Sequence, residues 1–349
     1  MSWLPPDEDD ERYDESSVRI RPNRKGTRPR TKNRPTHDSA VTGMVMWVDR
    51  GRYHVLVDEG EATERTIVAT SARELPRKAV VTGDVVFLVG DLSGEDGALA
   101  RIVRVRDRET VLRRSADDTD QVERVIVANA DQLLIVCAAA NPEPRVRLVD
   151  RYLLAAYDAG ISPLLCVTKT DLADPSDFVA HFAALDVPVI LTRSDEEPPA
   201  ELVEALLGHR TVFVGHSGVG KSTLVNALVP SADRATGVVN EVTGRGRHTS
   251  SSSLTLRLDR GAEHGWIIDT PGIRSFGLGH VDPSHLLEAF ADLAALAPEC
   301  PRGCTHASDA PDCAIAEAVA EAIAAGTADA VLESRLDSFQ RLIATFSTD

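Results

Sequence analysis

Between Ala40 and about Arg106 the apolar residues fall in short alternating runs: Gly43 to Val48, Tyr53 to Val57, Thr66 to Ala69, Val85 to Val89 and Ala100 to Val105. Alternation marks strands with one buried face, and Asp49-Arg50-Gly51 and Asp58-Glu59-Gly60 supply turns between them. Five short strands in about 65 residues predict a small closed β-barrel of the OB type. From Val122 the pattern changes. The runs Leu133 to Cys137, Pro163 to Val167, Val187 to Leu191, Thr211 to Val214, Leu254 to Leu258 and Trp266 to Ile268 read as strands of a mostly parallel sheet. Between them Phe178, Val179, Phe182 and Leu185 recur at helical spacing, as do Leu202, Val203, Leu206 and Leu207. The final third is Ala-rich and helical, with Leu332, Leu336, Phe339, Ile343 and Phe346 forming one apolar stripe on a terminal helix.

The chain has 349 residues, a length that predicts two or three domains. With 43% hydrophobic residues it can bury a core, which excludes wholesale disorder. No apolar run approaches the roughly 18 residues of a membrane span, and the acidic Met1 to Asp10 lacks the basic-then-apolar order of a secretory signal. A cytoplasmic monomer with reduced thiols and no membrane partner is expected. The net charge of −16 taken alone argues against nucleic acid, but the charges are segregated. Residues 7 to 15 carry seven acids and one Arg, whereas residues 18 to 36 carry eight bases and no acid. Without those eight bases the remainder stands at −24, so the total averages two unlike objects. Residues 1–37 hold too few apolar side chains to offset the entropy of ordering and are expected to be disordered when free. Two readings of this arm stand: a solvated solubilising tail, or an RNA-binding arm whose affinity falls steeply with salt. Six Arg between Arg101 and Arg114 favour RNA as a partner of the barrel.

The strongest chemical signal is Gly215-His216-Ser217-Gly218-Val219-Gly220-Lys221-Ser222, between a strand-like run and the helical stretch Thr223 to Leu228. This is a P-loop in its strand, loop and helix context. Its backbone N–H groups should turn onto phosphates, Lys221 should reach the β and γ oxygens as the charge-stabilising catalytic cation, and the Ser222 hydroxyl should coordinate Mg²⁺. Thr168-Lys169-Thr170-Asp171 ends another strand and has the TKxD form of a guanine-reading motif. A carboxylate at Asp171 can accept two hydrogen bonds from guanine N1–H and the 2-amino group, while the stem of Lys169 lies over the ring. Asp269-Thr270-Pro271-Gly272 supplies an Asp that orients Mg²⁺ through water and a Gly272 N–H that senses the γ-phosphate. Thr249, within Gly244-Arg245-Gly246-Arg247-His248-Thr249, stands where a Mg²⁺-contacting switch threonine belongs. A fifth nucleotide-binding segment is expected near Thr192 to Asp195. Further on, Cys300, Cys304, His306 and Cys313 fall within 14 residues beside Pro and Gly, the make-up of a closed Cys₃His zinc site. Four protein ligands leave no open position, so the zinc is expected to be structural. Cys137 and Cys166 lie inside apolar strands and are expected to be inert.

The motif order is informative, because TKTD at 168 precedes the P-loop at 215. Ordinary small GTPases run in the reverse order, and a circular permutation that joins the old termini and reopens the chain after DTPG rebuilds the same sheet. In this order, and in GHSGVGKSTL, GRHT, DTPGIRSFGL and the Cys/His cluster, the sequence resembles the circularly permuted, small-ribosomal-subunit-dependent GTPase A family over nearly its whole length. The resemblance implies a charged arm at 1–37, an OB-fold RNA-binding barrel at 38–108, a circularly permuted α/β P-loop GTPase domain at 109–279 and a helical zinc-binding domain at 280–349. It also implies GTP and GDP as ligands, the small (30S) ribosomal subunit and its rRNA as partners, and GTP hydrolysis stimulated by the subunit and coupled to late maturation or release of assembly factors. Members of that family more often carry four and five residues in the two outer gaps of the zinc cluster, where this chain has three and six.

Ile273, just after DTPG, cannot orient water as a Gln there does, so unassisted hydrolysis is expected on the order of 10⁻⁴ to 10⁻² s⁻¹. The family implies that His248 positions the water once the partner orders its loop. Two other readings stay open. A P-loop ATPase or kinase is opposed by TKTD, and an RNA-binding assembly scaffold with regulatory nucleotide and little turnover is compatible with Ile273.

Overall fold

The computed structural model describes residues 37, 39–73, 75, 80–115, 123–230, 253–270, 283–326 and 330–346. The basic arm and the segments carrying His248, Thr249, Gly272 and Ile273 lie outside them.

Strands β1 (Val41–Asp49), β2 (Arg52–Val57), β3 (Arg65–Ser71), β4 (Val85–Gly90) and β5 (Ala100–Val105) form where the sequence predicts them, but β1 and the end of β2 are buried on both faces, because Met44, Met46 and Leu56 pack outside the barrel. Val45, Val55, Ile67, Val86, Leu88 and Ile102 are fully buried in their interior. The strands pair in the order β1-β2-β3-β5-β4, and β4 returns to β1 through Val41↔Leu88 and Thr42↔Phe87, which closes the barrel. Only β3–β5 is parallel. An OB-type barrel is therefore present where the alternation predicts it.

A hairpin of β6 (Val111–Ser115) and β7 (Glu123–Ala128) follows, which the sequence reading does not anticipate. Arg113, Arg114 and Arg124 stand among its apolar side chains, of which Leu112 and Val127 are buried in the core of the next unit. That unit is a doubly wound sheet. Strands β8 (Gln132–Ala138), β9 (Ser162–Thr168), β10 (Val189–Leu191), β11 (Arg210–Val214), β12 (Leu254–Arg260) and β13 (Glu263–Asp269) pair in the order β10-β9-β8-β11-β13-β12. All pairings are parallel except β12–β13. Side chains alternate between its faces: Leu133 and Ile135 face one core, Leu134 and Val136 the other.

Helix α1 (Val146–Asp158) is also absent from the sequence expectations. Its buried Val149, Tyr152, Leu153 and Ala156 have helical spacing, but the buried Asp150 and the flanking arginines break the apolar pattern. The helix expected through Leu185 is shorter than its spacing suggests. Helix α2 (Ser176–Ala180) stops, and a single 3₁₀ turn at Ala183–Leu185 ends at a left-handed Asp186. Helices α3 (Ala200–Leu206) and α4 (Lys221–Leu228) cover the other sheet face. The C-terminal helices are α5 (Pro283–Glu288), α6 (Ala291–Ala294), α7 (Ala314–Ala324) and α8 (Ala330–Phe346). Phe290, Ile315, Val319, Phe339 and Leu342 join the same buried cluster as α1 and Phe182, so the helical end is continuous with the core of the sheet. Among the described residues no helix is long and apolar enough to cross a membrane.

Two arginines of α8 fix it to the sheet unit. Arg335 donates to Asp292 at 2.8 and 3.0 Å, to the Ala184 carbonyl at 3.1 Å and to Asp186. Arg341 donates to Asp150 at 3.2 Å and to the His181 carbonyl at 3.0 Å. Burial pushes the Asp150 carboxyl from its ordinary 3.8 up to about 6, against the opposing pull of Arg341. The folded protein therefore holds a proton there that the unfolded chain releases. This contribution to stability is fully present below about pH 4 and is lost as the pH rises through about 6. Asp150→Asn removes that slope, so the difference in urea-unfolding free energy between variant and wild type should change across this window. A constant difference would contradict the assignment.

Candidate nucleotide site and metal cluster

Parallel pairing brings the strand ends that carry the P-loop, TKTD and Asp269 to one edge of the sheet. Phe213 pairs with Asp269 across β11–β13, and Ala138 pairs with Thr168 across β8–β9, so these strands end on the same side of the sheet. Ligands bind at this edge of open α/β sheets, beyond the carboxyl ends of the strands.

The P-loop runs from Gly215 to Gly220 and opens α4. A side chain at Gly215 would lie 2.4 Å from the Val136 carbonyl oxygen, too close for any Cβ. Gly220 has φ +95°, a left-handed conformation that turns the chain into the helix without strain. The first-turn amides of α4 thus face outward with its positive dipole end, an arrangement suited to phosphate. The Lys221 ammonium is ion-paired with the Asp269 carboxylate, which puts the P-loop lysine and the acid of DTPG at one point. With Ser222 in the same first turn, the available donors are a hydroxyl and a carboxylate, hard oxygen ligands that fit Mg²⁺.

The TKTD segment is locked to the P-loop. The Thr168 hydroxyl lies 2.5 Å from the Val219 carbonyl oxygen and 3.2 Å from that of Cys137. Lys169, left-handed at φ +58°, donates from Nζ to the Gly218 carbonyl at 2.7 Å and to the Asn141 carbonyl. Thr170 N–H donates to the Thr192 carbonyl at 3.2 Å, and Ser194 N–H donates to Asp171 Oδ1 at 2.7 Å. That backbone donor holds the Asp171 carboxyl below its ordinary range, so it is an anion at neutral pH and can only accept hydrogen bonds. A cleft of about 280 Å³ lies between these parts, lined by Thr168, Lys169, Arg193, Ser194, Gly220 and Thr223. The structure therefore brings together Thr168, Lys169, Thr170 and Asp171 with Gly215 to Thr223 and Asp269. Sequence reasoning missed Asn141, whose contribution is a backbone carbonyl and leaves no side-chain signal. The Thr192 to Asp195 segment, where a fifth motif is expected, lies against Asp171.

A second cluster lies between α6 and α7. The ligand atoms of Cys300, Cys304, His306 and Cys313 all fall within 4.8 Å of one another. His306 Nδ1 is 3.6 Å from Cys300 Sγ and 3.7 Å from Cys313 Sγ. A tetrahedral zinc ion with Zn–S near 2.3 Å and Zn–N near 2.0 Å requires S···N edges of about 3.5 Å, so the four residues fit such an ion. Burial lowers the His306 pKa, which favours the neutral imidazole that a metal needs. A left-handed backbone at His306, φ +55°, turns its ring inward toward Phe339, with ring centroids 6.3 Å apart. The longer third gap is accommodated in the turn before Cys313, where Asp312 is also left-handed.

The RsgA GTPase family model matches residues 105–279. The small ribosomal subunit biogenesis GTPase RsgA of Pseudomonas savastanoi pv. phaseolicola is 35% identical over 317 residues, covering 88% of this chain and 86% of that one. Its namesake in Pseudomonas aeruginosa (strain LESB58) is 36% identical over 275 residues, 76% of each chain. Among solved structures, YjeQ from Thermotoga maritima superposes with a TM-score of 0.63 at 24% identity, covering 89% of this chain and 99% of that one. YloQ, a circularly permuted GTPase, gives 0.59 at 23% identity, covering 88% and 96%. These two likenesses concern the fold.

Proposed function

Since the chain belongs to the RsgA GTPase family, and is thereby a GTP hydrolase, we propose that it acts on the small ribosomal subunit. In this reading, subunit-stimulated GTP hydrolysis drives a late step of maturation or the release of assembly factors. Its relatives carry that subunit in their names. What supports the assignment of the site is one observation: the base-side loop and the phosphate-side loop are bonded to each other through Thr168 and Lys169. A nucleotide spanning the cleft would meet Asp171 at its base and the amides from Gly215 to Thr223 at its phosphates. Lys221 would exchange Asp269 for the β and γ oxygens, freeing the carboxylate to hold Mg²⁺ with Ser222 and Thr249. Bound Mg²⁺ neutralises charge that develops on the transferred phosphoryl group. Gly272 would report the γ-phosphate, and His248 would position the attacking water. The Cys300, Cys304, His306 and Cys313 set would hold structural zinc. The basic arm and the barrel would contact rRNA in the cytoplasm.

One titration tests this reading: GTP turnover against purified small subunits at two salt concentrations, for wild type and His248→Ala. Wild type should be slow alone and stimulated by at least tenfold, with a steep loss at high salt. The variant should bind GTP normally and show no stimulation. Equal turnover with and without subunits would refute the partner, and normal stimulation of His248→Ala would refute the role of that residue.

A further inference from the structure

The contacts of Thr168 decide how much of the base this site reads. The residue is 6% exposed, and its hydroxyl faces two carbonyl oxygens, Val219 O at 2.5 Å and Cys137 O at 3.2 Å. A hydroxyl has one proton to donate. Neither carbonyl can supply another, so the proton is committed to the P-loop side, with Val219 O the shorter contact. Guanine N7 is an acceptor and needs a donor from the protein. Lys169 also lines the cleft, but its ammonium is engaged by the Gly218 and Asn141 carbonyls. Of the side-chain donors that line the cleft, the two from the TKTD segment are thus turned to main-chain oxygens.

We propose that Thr168 is a positioning residue that ties the P-loop to the base-side strand and leaves guanine N7 unread, so that the enzyme accepts guanine nucleotides altered at N7. This rests on the reading above, in which Asp171 recognises the N1–H and 2-amino edge of guanine. Recognition is then confined to that edge. An Asn at position 168 would carry two amide protons, enough to bond Val219 O and N7 together.

The test is equilibrium binding of GTP, 7-deaza-GTP and inosine triphosphate to the full-length wild-type chain and to Thr168→Asn. Wild type should bind GTP and 7-deaza-GTP within a factor of two. Thr168→Asn should prefer GTP over 7-deaza-GTP by about fivefold, the worth of one ordinary hydrogen bond. A wild-type loss of fivefold or more on 7-deaza-GTP would overturn the proposal, as would a Thr168→Asn variant that binds GTP yet ignores N7. The inosine arm is separate: losing the 2-amino group should weaken wild-type binding by at least tenfold, and equal binding would refute the role of Asp171 without bearing on N7.

Discussion

Asp171→Asn should convert a GTP-binding site into one that prefers xanthosine triphosphate, with GTP weakened by about 10² to 10⁴-fold. The figure follows from two hydrogen bonds to a charged acceptor, each worth about 1.5–3 kcal/mol. An ionised Asp171 offers only acceptors, and the Ser194 N–H that holds it ionised also fixes its direction. An Asn offers one acceptor and one donor, which suits the N1–H and 2-oxo group of xanthine and mismatches the 2-amino group of guanine. Dissociation constants for both nucleotides, measured by competition, check it. Because the Asn side chain keeps an oxygen for the Ser194 N–H, the loop geometry survives and the change reads recognition. GTP affinity within threefold of wild type would show that Asp171 does not read the base.

The second large effect concerns the Cys₃His cluster. Cys304→Ser, or exhaustive chelation of the wild type, should lower the melting temperature by about 10 °C, and the purified wild type should carry about one zinc per chain. The cluster anchors the turn that leads into α7, and its His306 ring stands beside Phe339, which packs edge-on against Phe290 at 5.2 Å. Loss of a bound ion would therefore release side chains from the shared core. Hydrogen exchange should rise in α7 and α8 while the P-loop amides change little. A metal-free protein with unaltered melting and exchange would refute a structural ion.

Much of this arrangement is legible in the sequence because the physics is local. Short apolar runs within Val41–Asp49 and Arg52–Val57, bounded by turn residues, mark barrel strands, the P-loop glycines mark a turn that a Cβ at 215 would obstruct, and the Cys and His spacing marks a ligand set. Where burial depends on distant partners, local pattern fails. Asp150 is buried because Arg341, nearly two hundred residues away, answers it, and this conceals α1. In the β6–β7 hairpin, Arg113, Arg114 and Arg124 interrupt the apolar residues and blur the strand pattern. Spacing nominates Thr168 for the site, but only its rotamer and the neighbouring strand reveal that its hydroxyl is turned to the P-loop.

The barrel also solves a problem of the sheet beside it. At one end β10 has only three residues, too short to recruit another chain. At the other end β12 has seven and would present an open row of backbone donors and acceptors. There β1 bridges to it at Trp47↔Leu254, Arg257 of β12 pairs with Glu64, and Met44, Met46 and Leu56 pack on Trp266 of β13, whose indole donates to Glu59 at 2.8 Å. The barrel is thus an edge guard for the sheet. A chain truncated ahead of the hairpin would lose this protection, and its newly uncovered strand and tryptophan would make self-association the chief hazard of expressing the nucleotide-binding part alone.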